Sequence, residues 1–312
     1  MVEDQSPEAV DVVIVNYRSY DELRRCLASL EASRGAIGQI TVIDHESNLE
    51  EAGRISASFG WTQIVERSTN EGFATGVNLG ARGTRAPFIM LLNPDCVVES
   101  DAVKHLLAYA QTRPDAGIFG PRILNTNGTV QGSARRFPGV SAAVAGRSSW
   151  LTKRFPNNPL SRHNLPALDR RETPLNVDWV SGACMLVRRT AFDQVEGMDE
   201  RFFLYWEDAD LCKRIGEKGW RTVYFPGATV VHAGGRSSIH VYRESLAAFH
   251  RSAFFLFRKH ARWPARLFTP IVYLALEMRL RGLLFVHRHR LRSSTAQPAA
   301  VNDQKPHERI RG

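Results

Sequence analysis

Short apolar runs alternate with amphipathic segments over the first 120 residues of the chain. Four runs have the pattern of buried strands: VDVVIVN (10–16), ITVID (40–44), TQIVER (62–67) and PFIMLLN (87–93). The segments beside them predict helices. Residues 21–33 and 101–113 each have one apolar face, formed by Leu23, Cys26, Leu27 and Leu30 in the first and by Val103, Leu106, Leu107 and Ala110 in the second. The segment GFATGVNLGARG predicts a helix of small residues. Because the strands are largely apolar, this alternation predicts an α/β fold in which helices cover both faces of a mainly parallel sheet.

The pattern is less regular in the second half of the chain. It predicts a hairpin turn at Asn127-Gly128, followed by a long loop (138–175) and a strand (177–189). A helix is predicted over 208–219, with Leu211 and Ile215 inward and Gly219 at its end. Two further strands are predicted in 221–235. The resulting organisation is a flexible N-terminus (1–9), one α/β domain (10–240), basic and aromatic helices (241–292) and a disordered tail (293–312).

The positive charge of the chain is concentrated at its C-terminal end. The net charge is +9, and residues 251–312 hold thirteen Lys and Arg against three acidic residues. Basic residues alternate there with aromatic residues such as Phe254 and Trp263, which predicts helices that lie on a membrane surface. The alternative is that these helices cover the α/β domain. We expect no nucleic-acid partner, because the positive charge is confined to the segment that carries the aromatic residues.

Cysteine usage and the N-terminal residues indicate a cellular compartment. Four cysteines (Cys26, Cys96, Cys184, Cys212) lie far apart without a CxxC pair, which fits a reducing compartment and argues against a disulfide framework. The first residues, MVEDQSPEAVD, are acidic and polar, unlike a secretory signal. No stretch reaches the roughly 18 apolar residues of a spanning helix. We therefore predict a cytoplasmic protein that associates peripherally with the inner face of the cell membrane.

Polar residues follow the apolar runs at three predicted strand ends: Asn16, Asp44 and the pair Asn93/Asp95. Ligands of open α/β sheets bind beyond the carboxyl ends of the strands, so these side chains predict a site at that edge. In LLNPDC, Pro94 turns the chain and Asp95 projects beyond the sheet, where a carboxylate can hold Mg²⁺ or Mn²⁺ together with substrate phosphates. A structural Asx-Pro turn is the alternative.

Several segments together resemble glycosyltransferase family 2, which has the single-domain GT-A fold, a Rossmann-like, mainly parallel sheet flanked by helices. The likeness covers roughly residues 10–240, in VIVNYRSYDELRRCLASL, VID, NEGFATGVNLG, LLNPD, WVSGACMLVRRTAFDQVEGMDERFFLYWEDADLCKRIGEKGW and VVHAGG. Within the family, the chain is most similar to bacterial rhamnosyltransferases that build cell-wall linkers, O-antigens or exopolysaccharides.

The resemblance implies a reaction. A sugar would pass with inversion from a nucleotide diphosphate, dTDP-L-rhamnose, to a hydroxyl of a lipid-linked or polysaccharide acceptor. Two alternatives stay open, a UDP-hexose or UDP-N-acetylhexosamine donor on the same fold and a non-catalytic sugar-nucleotide-binding protein. The presence of both Asp95 and Asp208 argues against the second alternative.

The resemblance also implies the donor side of the site. It places donor-binding residues at Asn16, Tyr17, Asp44, Asn70, Gly72, Asn78, Asn93, Asp95 and Arg136. Arg136 and its neighbour Arg135 are candidates to clamp the diphosphate, or else solvated loop charges. NPD replaces the family's DxD, which leaves Asp95 and His232 as the implied ligands of Mg²⁺ or Mn²⁺. His45 and Glu46 replace a usual small polar pair, so the nucleotide base, thymine or uracil, stays open.

On the acceptor side, Asp208 matches the position of the family's catalytic base. Glu207 is the second candidate, or an acceptor ligand. Both lie at the start of a predicted helix, whose N-terminal amides orient acidic side chains; helix capping is the structural alternative for Asp208 and our interpretation of Asp210. The neighbouring aromatic residues are expected to desolvate the carboxylate and raise its pKa. The implied acceptor-side residues are Trp179, Ser181, Gly182, Tyr205 and Trp206.

Overall fold

The structure is a computed structural model that describes residues 10–137, 154–155, 172–234 and 242–295. The chain forms two compact units that divide between Leu256 and Phe257. Most of the predicted loop 138–175, the N-terminus 1–9 and the end of the tail lie outside the described residues.

The first unit is built on a mixed sheet of nine strands with a separate strand pair beside it. In chain order the strands are β1 (Val10–Tyr17), β2 (Ile37–His45), β3 (Thr62–Arg67), β4 (Phe88–Leu92), β5 (Cys96–Val98), β6 (Ala116–Leu124), β7 (Ala134–Arg135), β8 (Leu175–Val177), β9 (Trp179–Val180), β10 (Cys184–Arg188) and β11 (Arg221–His232). The main sheet runs β3-β2-β1-β4-β10-β6-β11-β5, β8 also pairs with β11, and β7 pairs with β9. Strands β3, β2, β1 and β4 are parallel to one another, as are β6 and β11, whereas β10 runs antiparallel to both of its neighbours.

Helices cover both faces of this sheet, as the strand pattern predicted. They are α1 (Tyr20–Leu30), α2 (Leu49–Ser58), α3 (Phe73–Arg82), α4 (Ala102–Gln111), α5 (Arg189–Asp193), α6 (Glu207–Glu217) and α7 (Tyr242–His260), with a 3-10 helix over Glu31–Ala36. The apolar residues predicted to face inward on α1, α4 and α6 are all buried.

Strand β1 shows how the sheet separates two halves of the core. Val12 and Ile14 pack in a cluster with residues of α1 and α4, whereas Val13 and Val15 pack in a second cluster with residues of α3 and α6. Successive side chains of a strand point to opposite faces, so a wholly apolar strand serves both clusters. Each fully buried Val or Ile stabilises the fold by about 1.5–3 kcal/mol relative to an exposed one.

Small residues let α3 approach the sheet closely. A Cβ atom on Gly80 would lie 2.5 Å from Cγ1 of Val13, and one on Gly76 would lie 2.8 Å from Cγ1 of Val15. These distances are shorter than carbon–carbon contact, so larger residues at either position would push the helix off β1. This close packing of α3 on β1 fixes where the N-terminus of α3 lies relative to the edge of the sheet.

The structure corrects several predicted elements. Helices α2 and α5 and strands β5, β6 and β7 were not predicted. The predicted strand 177–189 is divided into the end of β8, β9 and β10, because Asp178 and the turn 181–183 interrupt it and β9 pairs with β7 outside the main sheet. The two strands predicted in 221–235 are one strand, β11, in which a register shift between Phe225 and Thr229 accommodates the Pro-Gly pair. The predicted hairpin at Asn127-Gly128 is a turn with a single bridge, Leu124 to Val130.

The second unit is helical in its described part. It contains the end of α7, a 3-10 helix (Ala265–Phe268) and the long helix α8 (Thr269–Thr295), which agrees with the predicted helical end. Large apolar side chains are exposed along it, among them Trp263, Leu267, Phe268, Ile271, Leu274 and Met278. Within the described residues, every helix is too short or carries too many charged and polar side chains to cross a bilayer.

Candidate active site

The ends of β1 and β2 form a buried polar cluster. Asp44 accepts hydrogen bonds from the amide of Asn16 (2.7 Å) and from the hydroxyl groups of Tyr20 (2.8 Å) and Ser47 (2.7 Å). Asn16 and Asp44 are also direct partners in the parallel β1–β2 register. The prediction that these two strand-end residues meet at one edge of the sheet is confirmed.

Beside this cluster, two residues leave their strands with left-handed backbones. Arg18 has φ 54° and Glu46 has φ 50°, and their side chains form an ion pair. The hydroxyl group of Tyr17 lies 3.5 Å from the same Glu46 carboxylate. Such backbone conformations cost energy in non-glycine residues and concentrate at functional sites.

His45 ties the end of β2 to the loop before α3. Its buried ring places Nδ1 3.2 Å from the carbonyl oxygen of Thr69 and Nε2 3.2 Å from that of Gly72. The sequence marked His45 only as a departure from the family pattern. In the structure it supports the backbone of the loop that enters α3.

The loop before α3 meets the segment that leads to α6. Gly72 has φ 90°, and a Cβ atom there would lie 2.6 Å from the carbonyl oxygen of Phe203. That carbonyl instead accepts the N–H of Phe73 at 2.9 Å, and the side chain of Asn70 accepts the N–H of Gly72 at 3.0 Å. Only glycine combines this backbone with this approach.

Asn78 is placed differently from the prediction. Its amide donates to the carbonyl of Met198 (2.8 Å) and to the carboxylate of Glu200 (2.9 Å), and its oxygen accepts the N–H of Met198 (2.8 Å). The side chain is therefore committed to holding the segment after α5 against α3. Asn78 as a diphosphate contact stays a prediction.

Asp95 and His232 lie together, as the resemblance implied. Oδ1 of Asp95 is 3.2 Å from Nε2 of His232, and the two side chains are 8% and 15% exposed. Oε1 of Gln131 lies 3.2 Å from Nδ1 of the imidazole, and the side-chain amide of Gln131 donates to the His232 carbonyl at 2.9 Å. An Nδ1–H donated to Gln131 leaves the Nε2 lone pair directed at Asp95, which is the arrangement in which a histidine binds a metal. One carboxylate and one imidazole at this separation fit a divalent cation.

The turn between β9 and β10 connects the two halves of the site. The N–H of Gly182 donates to Oδ2 of Asp208 at 3.0 Å, and the carbonyl of Ala183 accepts the N–H of Asn93 at 2.9 Å. The N–H of Ser181 donates to the carbonyl of Ser133 at 2.8 Å. These three consecutive residues therefore contact the turn that carries Asp95, the start of α6 and the chain before β7.

Two carboxylates begin α6. Oδ1 of Asp208 accepts the N–H of Ala209 at 2.8 Å, and the side chain remains partly exposed. Burial raises the pKa of Asp208, while the N–H groups of Gly182 and Ala209 and the charge of Arg135 offset part of that shift. Burial, reinforced by the Asp208 charge, raises the pKa of Glu207 well above its usual range. Glu207 is 7% exposed, and its Oε2 has no hydrogen-bond partner among the described residues.

Backbone strain precedes these carboxylates. Tyr205 and Trp206 have φ 68° and 71°, and consecutive left-handed residues that are not glycine cost about 1–3 kcal/mol each. The ring of Phe249 on α7 packs against both, at centroid distances of 5.7 and 5.3 Å, and the hydroxyl of Ser252 donates to the carbonyl of Leu204. Packing from α7 therefore helps to hold the segment before α6 in its strained form.

Arg135, rather than Arg136, faces Asp208. The Arg135 guanidinium lies over the ring of Trp179, 4.6 Å from its centroid, and Nε donates to the carbonyl of Gly132. Arg136 pairs with Asp178 at 3.0 Å and lines a separate cavity of about 330 Å³. Successive side chains of an extended chain point to opposite sides, so only Arg135 of the two faces Asp208. Arg136 as a diphosphate contact stays a prediction.

The predicted acceptor-side residues lie near one another. Trp179 is buried, donates to the Arg136 carbonyl at 3.0 Å and packs 5.9 Å from the ring of Trp206. Gly182 approaches Asp208 so closely that a Cβ atom would lie 3.3 Å from the Cβ atom of Asp208. Together with Tyr205 they surround the start of α6.

Comparisons with known proteins give the family of the chain. The family model described as "Glycosyltransferase like family 2" matches residues 7–265. The chain is 34% identical over 269 residues to an N-acetylglucosaminyl-diphospho-decaprenol L-rhamnosyltransferase of Mycobacterium tuberculosis, covering 82% of this chain and 86% of that one. It is 28% identical over 149 residues to rhamnosyltransferase WbbL of Escherichia coli, covering 46% and 52%.

Solved structures share the fold at low sequence identity. GalNAc-T7 with UDP, GalNAc and Mn²⁺ gives a TM-score of 0.56 at 18% identity, over 73% of this chain and 44% of that one. The mannosyltransferase PcManGT of Pyrobaculum calidifontis, in complex with GDP-Man and Mn²⁺, gives 0.55 at 15% identity, over 93% and 76%.

The mixed, mainly parallel sheet and its flanking helices have the GT-A fold. The chain belongs to glycosyltransferase family 2, which confirms the resemblance read from its sequence.

Proposed function

We propose that the protein is an inverting, metal-dependent rhamnosyltransferase that moves L-rhamnose from dTDP-L-rhamnose to a hydroxyl of a lipid-linked acceptor. The sugar is supported by the 34% identity with a rhamnosyltransferase over most of both chains. The chemistry is supported above all by the turn 181–183, which bonds both to Asp208 and to the strand end that carries Asp95.

The donor lies along the carboxyl edge of the sheet. Asn16, Tyr17 and Asp44 lie where the nucleoside would bind, and the loop from Asn70 to Gly72 faces the diphosphate together with Asn93. Asp95 and His232 would hold a divalent cation, Mg²⁺ or Mn²⁺. Such a cation neutralises the charge that develops on a departing nucleoside diphosphate. The guanidinium of Arg135 provides positive charge beside the reacting groups.

Asp208 is the general base. It takes the proton of the acceptor hydroxyl as the oxygen forms its bond to the anomeric carbon, and the bond from that carbon to the diphosphate oxygen breaks on the opposite face. The proton ends on Asp208 and the electron pair leaves with the nucleoside diphosphate, so one displacement inverts the anomeric centre. A pKa raised by burial brings the base closer to the operating pH.

The acceptor side is formed by Trp179, Ser181, Gly182, Tyr205 and Trp206, with Glu207 below them. By its name, the Mycobacterium tuberculosis relative acts on N-acetylglucosaminyl-diphospho-decaprenol. An N-acetylglucosaminyl-diphospho-polyprenol is accordingly the acceptor that we test first.

We also propose that the second unit docks on an anionic membrane. Residues 257–288 hold seven Lys and Arg against one acidic residue, Glu277, which pairs with Arg281. Exposed apolar side chains lie among these charges, Trp263 being 75% exposed. Basic residues among exposed aromatic and aliphatic ones complement anionic headgroups and the acyl boundary below them.

A donor screen tests the proposed function. The purified chain is incubated with an N-acetylglucosaminyl-diphospho-polyprenol, Mg²⁺ or Mn²⁺, and dTDP-L-rhamnose or a UDP-sugar, and the lipid product is analysed by mass spectrometry. We expect a product heavier by one deoxyhexose residue from dTDP-L-rhamnose. A product formed only from a UDP-hexose or UDP-N-acetylhexosamine would overturn the rhamnose assignment and retain the transferase.

The role of Asp208 is tested by Asp208→Asn. General-base catalysis contributes about 10²- to 10⁴-fold, so we expect kcat to fall by that factor while donor binding, measured by calorimetry, persists. Glu217→Gln, at the exposed end of the same helix, is the matched control. Full transfer activity in Asp208→Asn would show that another group acts as the base and would favour Glu207.

A further inference from the structure

Both ring nitrogens of His45 face hydrogen-bond acceptors. Nδ1 lies 3.2 Å from the carbonyl oxygen of Thr69, and Nε2 lies 3.2 Å from the carbonyl oxygen of Gly72. A neutral imidazole has one N–H group, so it donates to one carbonyl and turns a nitrogen lone pair towards the other. The imidazolium form has two N–H groups and donates to both carbonyls.

The ring has almost no access to solvent. His45 is 1% exposed, and a Cβ atom on Gly76 of α3 would lie 3.0 Å from its Nε2. Water therefore does not replace the hydrogen bond that the neutral ring leaves unmade, and a buried polar group without a partner is costly. The protonation state of His45 is thus tied to the positions of the two carbonyl groups.

We infer that His45 is a positioning residue that holds the loop 69–72 as an imidazolium, so that the nucleoside-diphosphate donor binds together with one proton. The inference rests on the proposed function in so far as this loop faces the diphosphate of the donor. It adds a protonation state and a pH dependence of donor binding that the proposed function does not contain. It is specific to this chain, because His45 stands where the family has a usual small polar residue.

The proton favours the donor in two ways. The two donated hydrogen bonds hold both ends of the loop, from the Thr69 carbonyl to the Gly72 carbonyl, which also accepts the N–H of Gly76 at 3.1 Å in the first turn of α3. The positive charge is buried against backbone that faces an anionic diphosphate, where salt screens it little. Because the donor and the proton favour the same state, each raises the affinity of the chain for the other.

The neighbouring strands leave this charge unopposed by a free cation. The register partner of His45 on β3 is Arg67, whose guanidinium pairs with Glu71 in the loop itself. The register partner on β1 is Tyr17, which is uncharged at neutral pH. The nearest cation is therefore already neutralised by a carboxylate.

The other charged groups around the ring stay ionised near neutral pH. Along the chain, His45 lies between Asp44, which is engaged by Asn16, and Glu46, which pairs with Arg18. Helix α3 carries one charged residue, at its C-terminal end. Histidine changes its charge between about pH 5 and 8, so among the described groups around this loop His45 is the one that responds in that range.

Calorimetry at several pH values tests the inference. dTDP-L-rhamnose is titrated into the full-length chain at constant Mg²⁺ between about pH 6 and 8.5, in buffers of different ionisation enthalpy. Both phosphates of this donor are substituted, so the ligand itself exchanges no proton. We expect proton uptake on binding and an affinity at least about fivefold lower at the alkaline end. Protonation of His232 would act in the opposite direction, because protons compete with the metal there.

His45→Gln removes the titrating ring, and His105→Gln, at an exposed position on α4, is the matched control. We expect His45→Gln to bind the donor without proton uptake and with one affinity across the range. His105→Gln should behave like the unmodified chain. If His45→Gln lowers the affinity by the same factor at every pH and retains the proton uptake, His45 is merely structural and the inference is wrong.

Nitrogen NMR of the histidine-labelled chain gives a readout that needs no donor. Ring signals that disappear in His45→Gln belong to His45, and we expect both of its nitrogens to carry protons at about pH 6. A lone-pair nitrogen on His45 at that pH would overturn the inference, as would donor binding without proton uptake by the unmodified chain. If dTDP-L-rhamnose does not bind at any pH, the proposed donor is wrong, and UDP-glucose replaces it as the probe of the proton uptake.

Discussion

The backbone N–H of Gly182 donates to Oδ2 of Asp208 at 3.0 Å. The next residue, Ala183, accepts the N–H of Asn93 at the end of β4. A single turn therefore fixes the separation between the proposed base and the turn that carries Asp95. Neither group can shift without disturbing a hydrogen bond to this turn.

Gly182→Ala should impair catalysis more than folding. The new Cβ atom would lie 3.3 Å from the Cβ atom of Asp208, tight enough to displace the carboxylate by a few tenths of an ångström. We expect kcat to fall about tenfold with the donor KM unchanged, because small misplacements of reacting groups are costly. Gly216→Ala, on α6 with open space around it, is the control. Equal kcat in both variants would contradict the positioning role of the turn.

Arg135 should set the pH at which the enzyme loses activity in acid. Its positive charge lowers the pKa of Asp208 against the larger raising effect of burial. The base must be deprotonated, so Arg135→Met should move the acidic limb of the kcat profile to higher pH. Arg135→Lys keeps the charge and should move the limb less. A limb that stays in place in Arg135→Met would mean that another group controls it.

Glu207 should make the fold less stable as the pH rises. Burial raises its folded pKa above the unfolded value of about 4.3. Between these two values the folded state binds more protons than the unfolded state, so the free energy of unfolding falls with increasing pH until Glu207 is ionised. Glu207→Gln should remove this part of the slope in urea unfolding between pH 4 and the raised pKa. An unchanged slope would assign it to other groups.

Gly72→Ala should destabilise the fold. The variant combines φ 90° with a Cβ atom 2.6 Å from the Phe203 carbonyl oxygen, and that oxygen belongs to the rigid backbone. We expect a loss of about 2 kcal/mol or more in urea unfolding. Gly53→Ala, inside α2 with open space around it, should be neutral or stabilising. A neutral Gly72→Ala would contradict the close approach at the start of α3.

The second unit should hold the protein on anionic vesicles through apolar insertion. Replacing Trp263, Leu267 and Phe268 by Ser or Gln should abolish co-sedimentation in high salt, where charge attraction is screened. Leu49→Gln removes an apolar side chain of the first unit that is 70% exposed, and it should have no effect. Binding that disappears in high salt for the unmodified chain would indicate attraction by charge alone.

The sequence predicted the layers of the fold well because periodicity reports burial directly. Wholly apolar runs became central strands, and Asn16 and Asp44 met because the ends of adjacent parallel strands must share an edge. Helix α2 was missed although its start is marked by Asn48, whose side chain accepts the N–H groups of Glu50 and Glu51.

The features that the sequence did not predict depend on contacts between segments that are distant along the chain. The choice between Arg135 and Arg136 follows from the pairing of β7 with β9, which fixes the side of the chain that each residue faces. Asn78 is engaged by Met198, 120 positions further along, and no local pattern marks that contact. That β11 is one strand rather than two likewise depends on its pairing with β6 rather than on its own residues.

The left-handed backbone at Tyr205 and Trp206, two of the proposed acceptor-side residues, limits which replacements these positions tolerate. Valine, isoleucine and threonine are the residue types least compatible with such dihedral angles, whereas glycine and asparagine adopt them readily. A mutant library at these two positions should therefore draw on polar and aromatic replacements. Branched aliphatic replacements would distort the backbone at these positions rather than change selectivity alone.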